Sequence, residues 1–408
     1  NQFYSILNKK FMKKLDKIFF DNIWNLFNLK NKTKVCVILI LIIGFILRAL
    51  AASHLAPSAD EAVYGTHAIN FINSGAVSNQ NQSPVWFFLA DLFYKIFSIT
   101  LFTARLTSII FGMLTILIIY LLAKELFNNE IALIAAALSS ISALLIRYMV
   151  MEMDPTFTFF FFLSAYLFIR DLLNKDKISI LSAIFLGIAI LSKAISAMLV
   201  PSFLLIYLIY YIKNKDKRKI LLSKSNITRG IISIITVLIT LTPIFVYNYL
   251  LYKEKSLTDV MFARFFNVSK DFYASIASTI KPFSFSDSIL NLPSPITHIL
   301  HYDQLIMILA GIGLAILFMK SRFQLLVLLS LLVPVYVFIA GTSLLGNHFV
   351  VFMPVIVIFS AIPIYYIKNK FKTSHIIPIL IIIIAVVNIF TIRDSLTSKS
   401  AIGKVRQF

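Results

Sequence analysis

Eleven apolar runs separated by charged or turn-forming connections dominate the chain, at residues 35–52, 104–123, 131–150, 155–170, 178–192, 195–212, 230–250, 304–319, 323–341, 349–367 and 376–392. About 20 apolar residues in helical form cross a hydrocarbon layer roughly 30 Å thick. Several of these runs are shorter, which a bilayer accommodates by local thinning. With 59% hydrophobic and 14% charged residues among 408, there is too little polar surface to coat a water-soluble body. The pattern predicts an all-α, polytopic membrane bundle of about 11 transmembrane helices.

The charges orient that bundle. If the runs alternate across the membrane, 24 of the 38 Lys and Arg fall on the side of the N-terminus, with 7 of the 18 Asp and Glu. Basic residues accumulate in cytoplasmic loops, so the N-terminus is expected inside and two long loops, 53–103 and 251–303, outside. This requires that residues 84–97 do not span. They are expected to form a helix in the outer interface, with Trp86, Phe87, Phe88 and Phe93 toward lipid or the protein body. Residues 1–34 interleave Lys9, Lys10, Lys13, Lys14 and Lys17 with Phe11, Leu15, Ile18, Phe19 and Phe20, which suits a basic amphipathic helix on the cytoplasmic membrane surface or a plain topogenic tail. No small-residue cleavage site follows the first run, which is therefore read as an anchor. The chain divides into this segment, a module at 35–250 that includes loop 53–103, the second external loop at 251–303, and the helices of 304–408. The net charge of +20 is thus a membrane signature rather than a nucleic-acid one. A single cysteine, Cys36, excludes a disulfide framework or a cysteine metal site.

Chemistry is sought first at Asp60-Glu61, eight residues beyond the first run, where a carboxylate at the lipid–water boundary can accept a proton from an incoming hydroxyl. Arg105, Arg147 and Lys193 lie at predicted outer helix ends and can supply positive charge to a departing phosphate. Each residue also has a structural reading: an Asp at a helix start caps it, and a cation at a membrane edge snorkels to headgroups. Asp154-Pro155 reads either as a helix N-cap with proline at the first position or as a second active-site carboxylate positioning the acceptor or Lys193. Glu152 and Asp154, at i and i+2, can converge on a divalent metal. His348 follows Gly346-Asn347 at the start of the tenth run. His298 and His301 share a face if they lie on a helix, but Pro293 and Pro295 suit a loop equally, and no zinc site is read from them. No P-loop, dinucleotide fingerprint or His-Glu-x-x-His element occurs, and Asn267-Val268-Ser269 marks only an external sequon. No strong internal repeat is present, which disfavours a symmetric rocking transporter.

The ordered set Arg48, Asp60-Glu61 with Tyr64 and Ala68, Gly75, Pro84, Arg105, Arg147, Asp154 and Lys193 resembles the GT-C superfamily of integral-membrane glycosyltransferases, and within it the dolichyl-phosphate-mannose protein mannosyltransferase and aminoarabinose transferase branch. The resemblance covers mainly residues 40–215; beyond them it rests on layout. It implies a GT-C-like bundle with interfacial helices in the two external loops, transferring a sugar from a polyprenyl-phosphate donor with inversion on the extracytoplasmic face. On that reading Asp60 is the general base, Glu61 and Asp154 are further catalytic carboxylates, and Lys193, Arg147, Arg105 and Arg264 bind the donor phosphate. Tyr64, Glu152 and His348 line the substrate pocket. No cofactor is required, the alternative being a divalent metal at Glu152 and Asp154, since oligosaccharyltransferase relatives use an acid-x-Asp element. The expected partners are the donor, a protein, lipid or glycan acceptor, and membrane lipids, with no nucleic acid. Two departures stand out: Gln82-Ser83-Pro84, where relatives frequently carry a charge and paired prolines, and His348-Phe349, where they often carry a basic or aromatic pair. The competing readings are a lipid-linked sugar translocase, which calls for charges deep within spans, and a noncatalytic protein of the same fold. Abundant Lys, Asn and Ile suggest an AT-rich prokaryotic genome and hence a plasma membrane.

Overall fold

A computed structural model describes residues 32–74, 85–150, 153–259, 262, 283–342, 345–373 and 375–397, without the side chains of 59, 60, 63, 70–74 and 394–397. Almost all of segment 1–34, the Asp60 side chain, Glu152 and Arg264 therefore lie outside the described residues. Every regular element within them is helical.

The first span is α1 (Lys32–His54), followed by two shorter helices, α2 (Ala59–Ser74) and α3 (Val85–Phe97). The α3 helix matches the expected non-spanning segment, with Trp86 and Phe87 buried against Tyr64 of α2 and Phe88 exposed. Next come α4 (Leu101–Leu126), α5 (Asn129–Ile141), α6 (Ala143–Tyr148), α7 (Asp154–Lys175), α8 (Ile180–Ser192) and, after a 3-10 turn at Ala194–Met198, α9 (Leu199–Lys213). A short α10 (Arg218–Leu221) leads into α11 (Lys224–Thr240) and α12 (Thr242–Lys255). The remainder comprises α13 (Phe285–Leu290), α14 (Pro293–Tyr302), α15 (Gln304–Lys320), α16 (Arg322–Thr342), a 3-10 segment at Gly346–Phe352 running into α17 (Met353–Phe371), and α18 (Ile376–Thr397). His298 and His301 thus sit on a helix, α14, because its prolines fall in the first turn, where a missing N–H costs nothing.

Eight helices are long and apolar enough to cross a membrane, counting helices that run on through a turn as one. Three shorter apolar helices, Asn129–Ile141, Ile180–Ser192 and Gln304–Lys320, occupy the other predicted runs. Length and composition thus support eight of the eleven spans outright. Side-chain caps set several boundaries: Thr100 accepts from the Thr103 N–H to start α4, and Asn128 from the Ile131 N–H to start α5. The core lies where α4, α5, α7, α15 and α17 meet, with Phe157, Phe161, Ile306 and Val357 fully enclosed. Gly313 lets α15 approach α17 so closely that a Cβ there would collide with the Phe359 carbonyl, the small-residue contact typical of membrane helices. The α11 helix instead presents Ile227, Ile231, Ile234, Ile235, Leu238 and Ile239 outward, as a lipid-facing helix does.

The expected single run at 131–150 is broken at Ser142, and the break is polar. The final carbonyls of α5 have no helical partners. Arg48, fully buried on α1, donates to the carbonyls of Ser140 at 3.2 Å and Ser139 at 3.1 Å. Asn388 of α18 donates to that of Ile141 at 3.1 Å. On the other side of the break the buried Asp303 carboxylate accepts from the Ser142 hydroxyl (2.7 Å) and from the N–H groups of Ala143 (2.9 Å) and Leu144 (3.1 Å). Asn388 also donates to Asp303, at 2.8 Å. In a medium without water, an interrupted helix persists only when its freed backbone groups find partners of this kind.

Candidate functional site

The two ends of the bundle differ chemically. At one end, side chains tie the connections together through Lys368–Glu130 (2.7 Å), Lys217–Asp176 (3.0 Å) and Asn174–Glu125 (2.7 Å), among many further basic residues. The opposite end, where α2, α4, α7 and the 3-10 segment begin and α6 and α8 end, gathers most of the expected site residues.

Asp154 is at the centre. It opens α7, but its side chain makes no cap; Met153 occupies the N-cap position and Pro155 the first turn. The carboxylate, only 1% exposed, instead accepts from Lys193 Nζ at 2.6 Å and from Asn347 Nδ2 at 3.0 Å. Of the two readings offered by the sequence, this geometry fits the positioning of Lys193. Lys193 is held in extended backbone (φ −162°, ψ 124°) between the end of α8 and the following 3-10 turn, so its stem leaves the helix axis and reaches across to α7. Its ammonium also lies 5.3 Å from the centre of the Phe157 ring, a cation–π distance. His348, next to Asn347, keeps a buried Nδ1 with no hydrogen-bond partner among the described residues. Asn347 was not singled out in the sequence; the Gly-Asn dipeptide ahead of an apolar run was its only signal.

Glu61 and Arg105 form a second, separate construction. Ser58 and Glu61 make a capping box: the Ser58 N–H donates to Glu61 Oε2 at 2.9 Å and the Glu61 N–H to Ser58 Oγ at 3.0 Å, which starts α2. Arg105 then grips the same carboxylate with Nε and Nη2, both at 2.8 Å. Its other donors reach the carbonyls of Ala52 (2.5 Å), Leu55 (2.9 Å) and Ala56 (3.3 Å), the frayed end of α1. All five guanidinium N–H groups are thereby engaged, and the residue is 1% exposed. In this arrangement Arg105 has no donor left for the phosphate role expected of it, and Glu61 serves as cap and counter-ion. The clasp does fix the first turn of α2, on which Asp60 sits one residue ahead of Glu61. Tyr64 is buried between α2 and α3 against Trp86 and Phe87, as part of that small core.

Arg147, at the end of α6, lies 5.7 Å from the Tyr148 ring centre and 5.6 Å from that of Tyr302. His298 of α14 packs on Tyr302 and Phe349, both at 5.2 Å between ring centres. Burial and the neighbouring His301 and Arg147 push its pKa down, which leaves it neutral at pH 7. A Cβ on Gly346 would fall 2.5 Å from His298 Nε2 and 2.8 Å from the Tyr148 hydroxyl, so glycine permits the close seating of the 3-10 segment on α14 and α6. The segment 251–303 thus contributes α14 to the site, by packing. As to a metal, both Asp154 oxygens already have donors, and no group of three His, Cys, Asp or Glu side chains suited to one occurs among the described residues. A cation there would have to displace Lys193, so Asp154 as arranged does not fit a metal.

This architecture has known counterparts. Residues 81–247 match the family model described as dolichyl-phosphate-mannose-protein mannosyltransferase. Among solved structures, ArnT from Cupriavidus metallidurans bound to undecaprenyl phosphate is similar with a TM-score of 0.57 at 15% identity, covering 81% of this chain and 59% of that one. The archaeal oligosaccharyltransferase AglB from Archaeoglobus fulgidus, in complex with an inhibitory peptide and a dolichol-phosphate, gives 0.60 at 15% identity over 91% of this chain and 56% of its own. The chain has the GT-C fold. The GT-C-like bundle implied by the resemblance read from residues 40–215 is therefore borne out, as is the expectation of an all-helical, multi-pass architecture among the described residues. ArnT in the apo state is similar over 89% of this GT-C chain, with a TM-score of 0.58 at 14% identity. The chain spans 59% and 56% of the first two of these structures, so the match is to part of those proteins. No curated protein sequence matches it.

Proposed function

We propose that this GT-C chain is an inverting glycosyltransferase that moves a sugar from a polyprenyl-phosphate donor to a hydroxyl-bearing acceptor, a protein, lipid or glycan, at the extracytoplasmic face of a prokaryotic plasma membrane. The observation that carries the reading is the Lys193–Asp154–Asn347 arrangement: a lysine held by a buried carboxylate at the end of the bundle where α2, the helix that includes Asp60, begins. A water-insoluble lipid donor with an anionic head requires a fixed cation and a base at the lipid–water boundary, the two tasks we assign to Lys193 and Asp60.

Asp60 takes the acceptor's hydroxyl proton as that oxygen bonds to the anomeric carbon. The bond from that carbon to the phosphate oxygen breaks on the opposite side, which inverts the centre and releases polyprenyl phosphate. Lys193, already oriented by Asp154, meets the negative charge that grows on the departing phosphate. Arg147 and the outer-loop Arg264 are further phosphate ligands in this scheme, and His348, with its unpartnered Nδ1, contacts the sugar. No step passes through a metal.

The test is purified protein in nanodiscs, supplied with radiolabelled polyprenyl-phosphate sugars and candidate acceptors, with loss of label from the lipid as readout. Asp60→Asn keeps size and capping ability but removes the base, so transfer drops roughly a hundredfold or more while donor affinity survives. Transfer by Asp60→Asn equal to the parent's refutes the mechanism. Label that crosses the membrane unreacted identifies a translocase instead.

A further inference from the structure

The break at Ser142 separates α5 from a six-residue helix whose last two residues are Arg147 and Tyr148. So short a helix cannot hold itself in place; its position is imposed from outside. Three contacts do so. Asp303 binds its first turn through Ser142, Ala143 and Leu144. Asn388 locks Asp303 to the Ile141 carbonyl. Gly112 of α4 admits the Met149 backbone so closely that a Cβ there would lie 3.2 Å from the Met149 carbonyl oxygen. From α6 the packing continues through Tyr148 and His298 to Gly346 and so to Asn347, which holds Asp154. The segment that carries Arg147 is therefore fixed, through Asp303 and Asn388, by α18. That helix lies outside residues 81–247, the stretch that matches the family model.

We propose that Asp303 and Asn388 are positioning residues: by stapling the broken span to α15 and α18 they hold Arg147 in register with the Lys193–Asp154 pair, so that α18 is part of the phosphate-binding apparatus. An uncharged Asn in the apolar run 376–392 has no other evident task, and its amide is fully buried on the carboxylate it donates to. The inference deepens the proposed function and rests on it for the identity of the bound anion.

A double-mutant cycle tests it, with undecaprenyl phosphate as the probe and binding measured in nanodiscs. Arg147→Met and Asn388→Leu, the latter close in volume to the parent, should each weaken binding by roughly tenfold, the order expected for losing one charge-assisted contact. The double variant should bind no more weakly than Arg147→Met alone, because a misplaced Arg147 and an absent one are equivalent. Multiplicative losses, about a hundredfold in the double variant, would overturn the proposal. Ser142→Ala serves as the second entry to the cycle if Asn388→Leu does not fold. Hydrogen–deuterium exchange at residues 143–149 separates this inference from the functional reading. Faster exchange there in Asn388→Leu supports the staple even if the parent binds no polyprenyl phosphate, an outcome that removes only the proposed function. Unchanged exchange removes the staple.

Discussion

Arg105 offers the clearest decision between a ligand of the donor and a girder of the fold. Its five donors meet two carboxylate oxygens and three carbonyls, with the guanidinium sealed from solvent. Arg105→Met leaves the Glu61 carboxylate buried beside an apolar side chain, a loss of about 3–5 kcal/mol for breaking one partner of a buried pair. Arg105→Lys keeps the charge but offers at most three donors from a single atom, so it cannot bridge both Glu61 oxygens and reach Ala52, Leu55 and Ala56 together. It should cost about 1–3 kcal/mol, the penalty of buried acceptors left unsatisfied. Adding Glu61→Gln to Arg105→Met removes the unpaired charge and should restore part of the loss. Thermal unfolding of the purified variants in detergent, read by near-ultraviolet circular dichroism, gives the order: parent, then Arg105→Lys, then the double variant, then Arg105→Met. An Arg105→Met protein as stable as the parent but deficient in donor binding would refute the clasp and return Arg105 to the phosphate.

Lys193→Met should abolish turnover, and Lys193→Met with Asp154→Asn should be at least as stable as Lys193→Met alone because it removes the buried carboxylate left without its cation; an active Lys193→Met protein removes Lys193 from the phosphate. Burial raises the Asp303 pKa from 3.8 to about 6 against the pull of its four donors. The native state therefore binds a proton that the unfolded chain lacks between these values, and stability falls as pH rises through that window, by about 3 kcal/mol in all. Unfolding measured from pH 4 to 7 should show this slope in the parent and lose it in Asp303→Asn; a slope that persists in the variant refutes the assignment. Cysteine labelling of intact cells should modify a Cys introduced at Ser78 but not one at Asn214, and the reverse pattern inverts the topology.

Hydropathy made the bundle legible because lipid solvation acts on whole segments: every expected run coincides with a helix or with two helices joined end to end. Charge bias predicted that residues 84–97 do not span, and α3 is a helix of 13 residues, shorter than a span asks for. The break at Ser142 was not legible, because α5 and α6 are both apolar and serine is ordinary in membrane helices. Its signals were distant in sequence: Arg48 inside one run, Asn388 inside another, and Asp303 at the start of a third. At the site, Asp154 and Lys193 were read as neighbours in function and are neighbours in space, since helix ends at one face of a bundle converge. Arg105 and Glu61 carried the same signals of residue type and position. Sequence cannot tell which of two such pairs turns inward on the backbone, because that depends on where α1 ends, here at His54, and on which of its last carbonyls are left open.

A single physical requirement links the buried charges of this protein. Arg48, Arg105 and Asp303 each lie fully or almost fully buried, and each binds backbone groups left open where a helix ends: Arg48 at α5, Arg105 at α1, Asp303 at α6. Without water, an open carbonyl or N–H costs several kcal/mol, so a membrane protein that bends its backbone must supply a partner for each group. Such bends lie where irregular backbone is useful, at the mouth of a site. A charged residue within an apolar run is therefore a pointer of two kinds. It marks a translocation path when it faces a cavity, and it marks a helix break when it faces a helix end. In this chain Arg48, Arg105 and Asp303 each devote hydrogen bonds to such a helix end, which is the second kind of pointer. Lys193 and Asp154 differ from these three: they are paired with each other rather than with open backbone groups, as the proposed role of Lys193 at the departing phosphate requires.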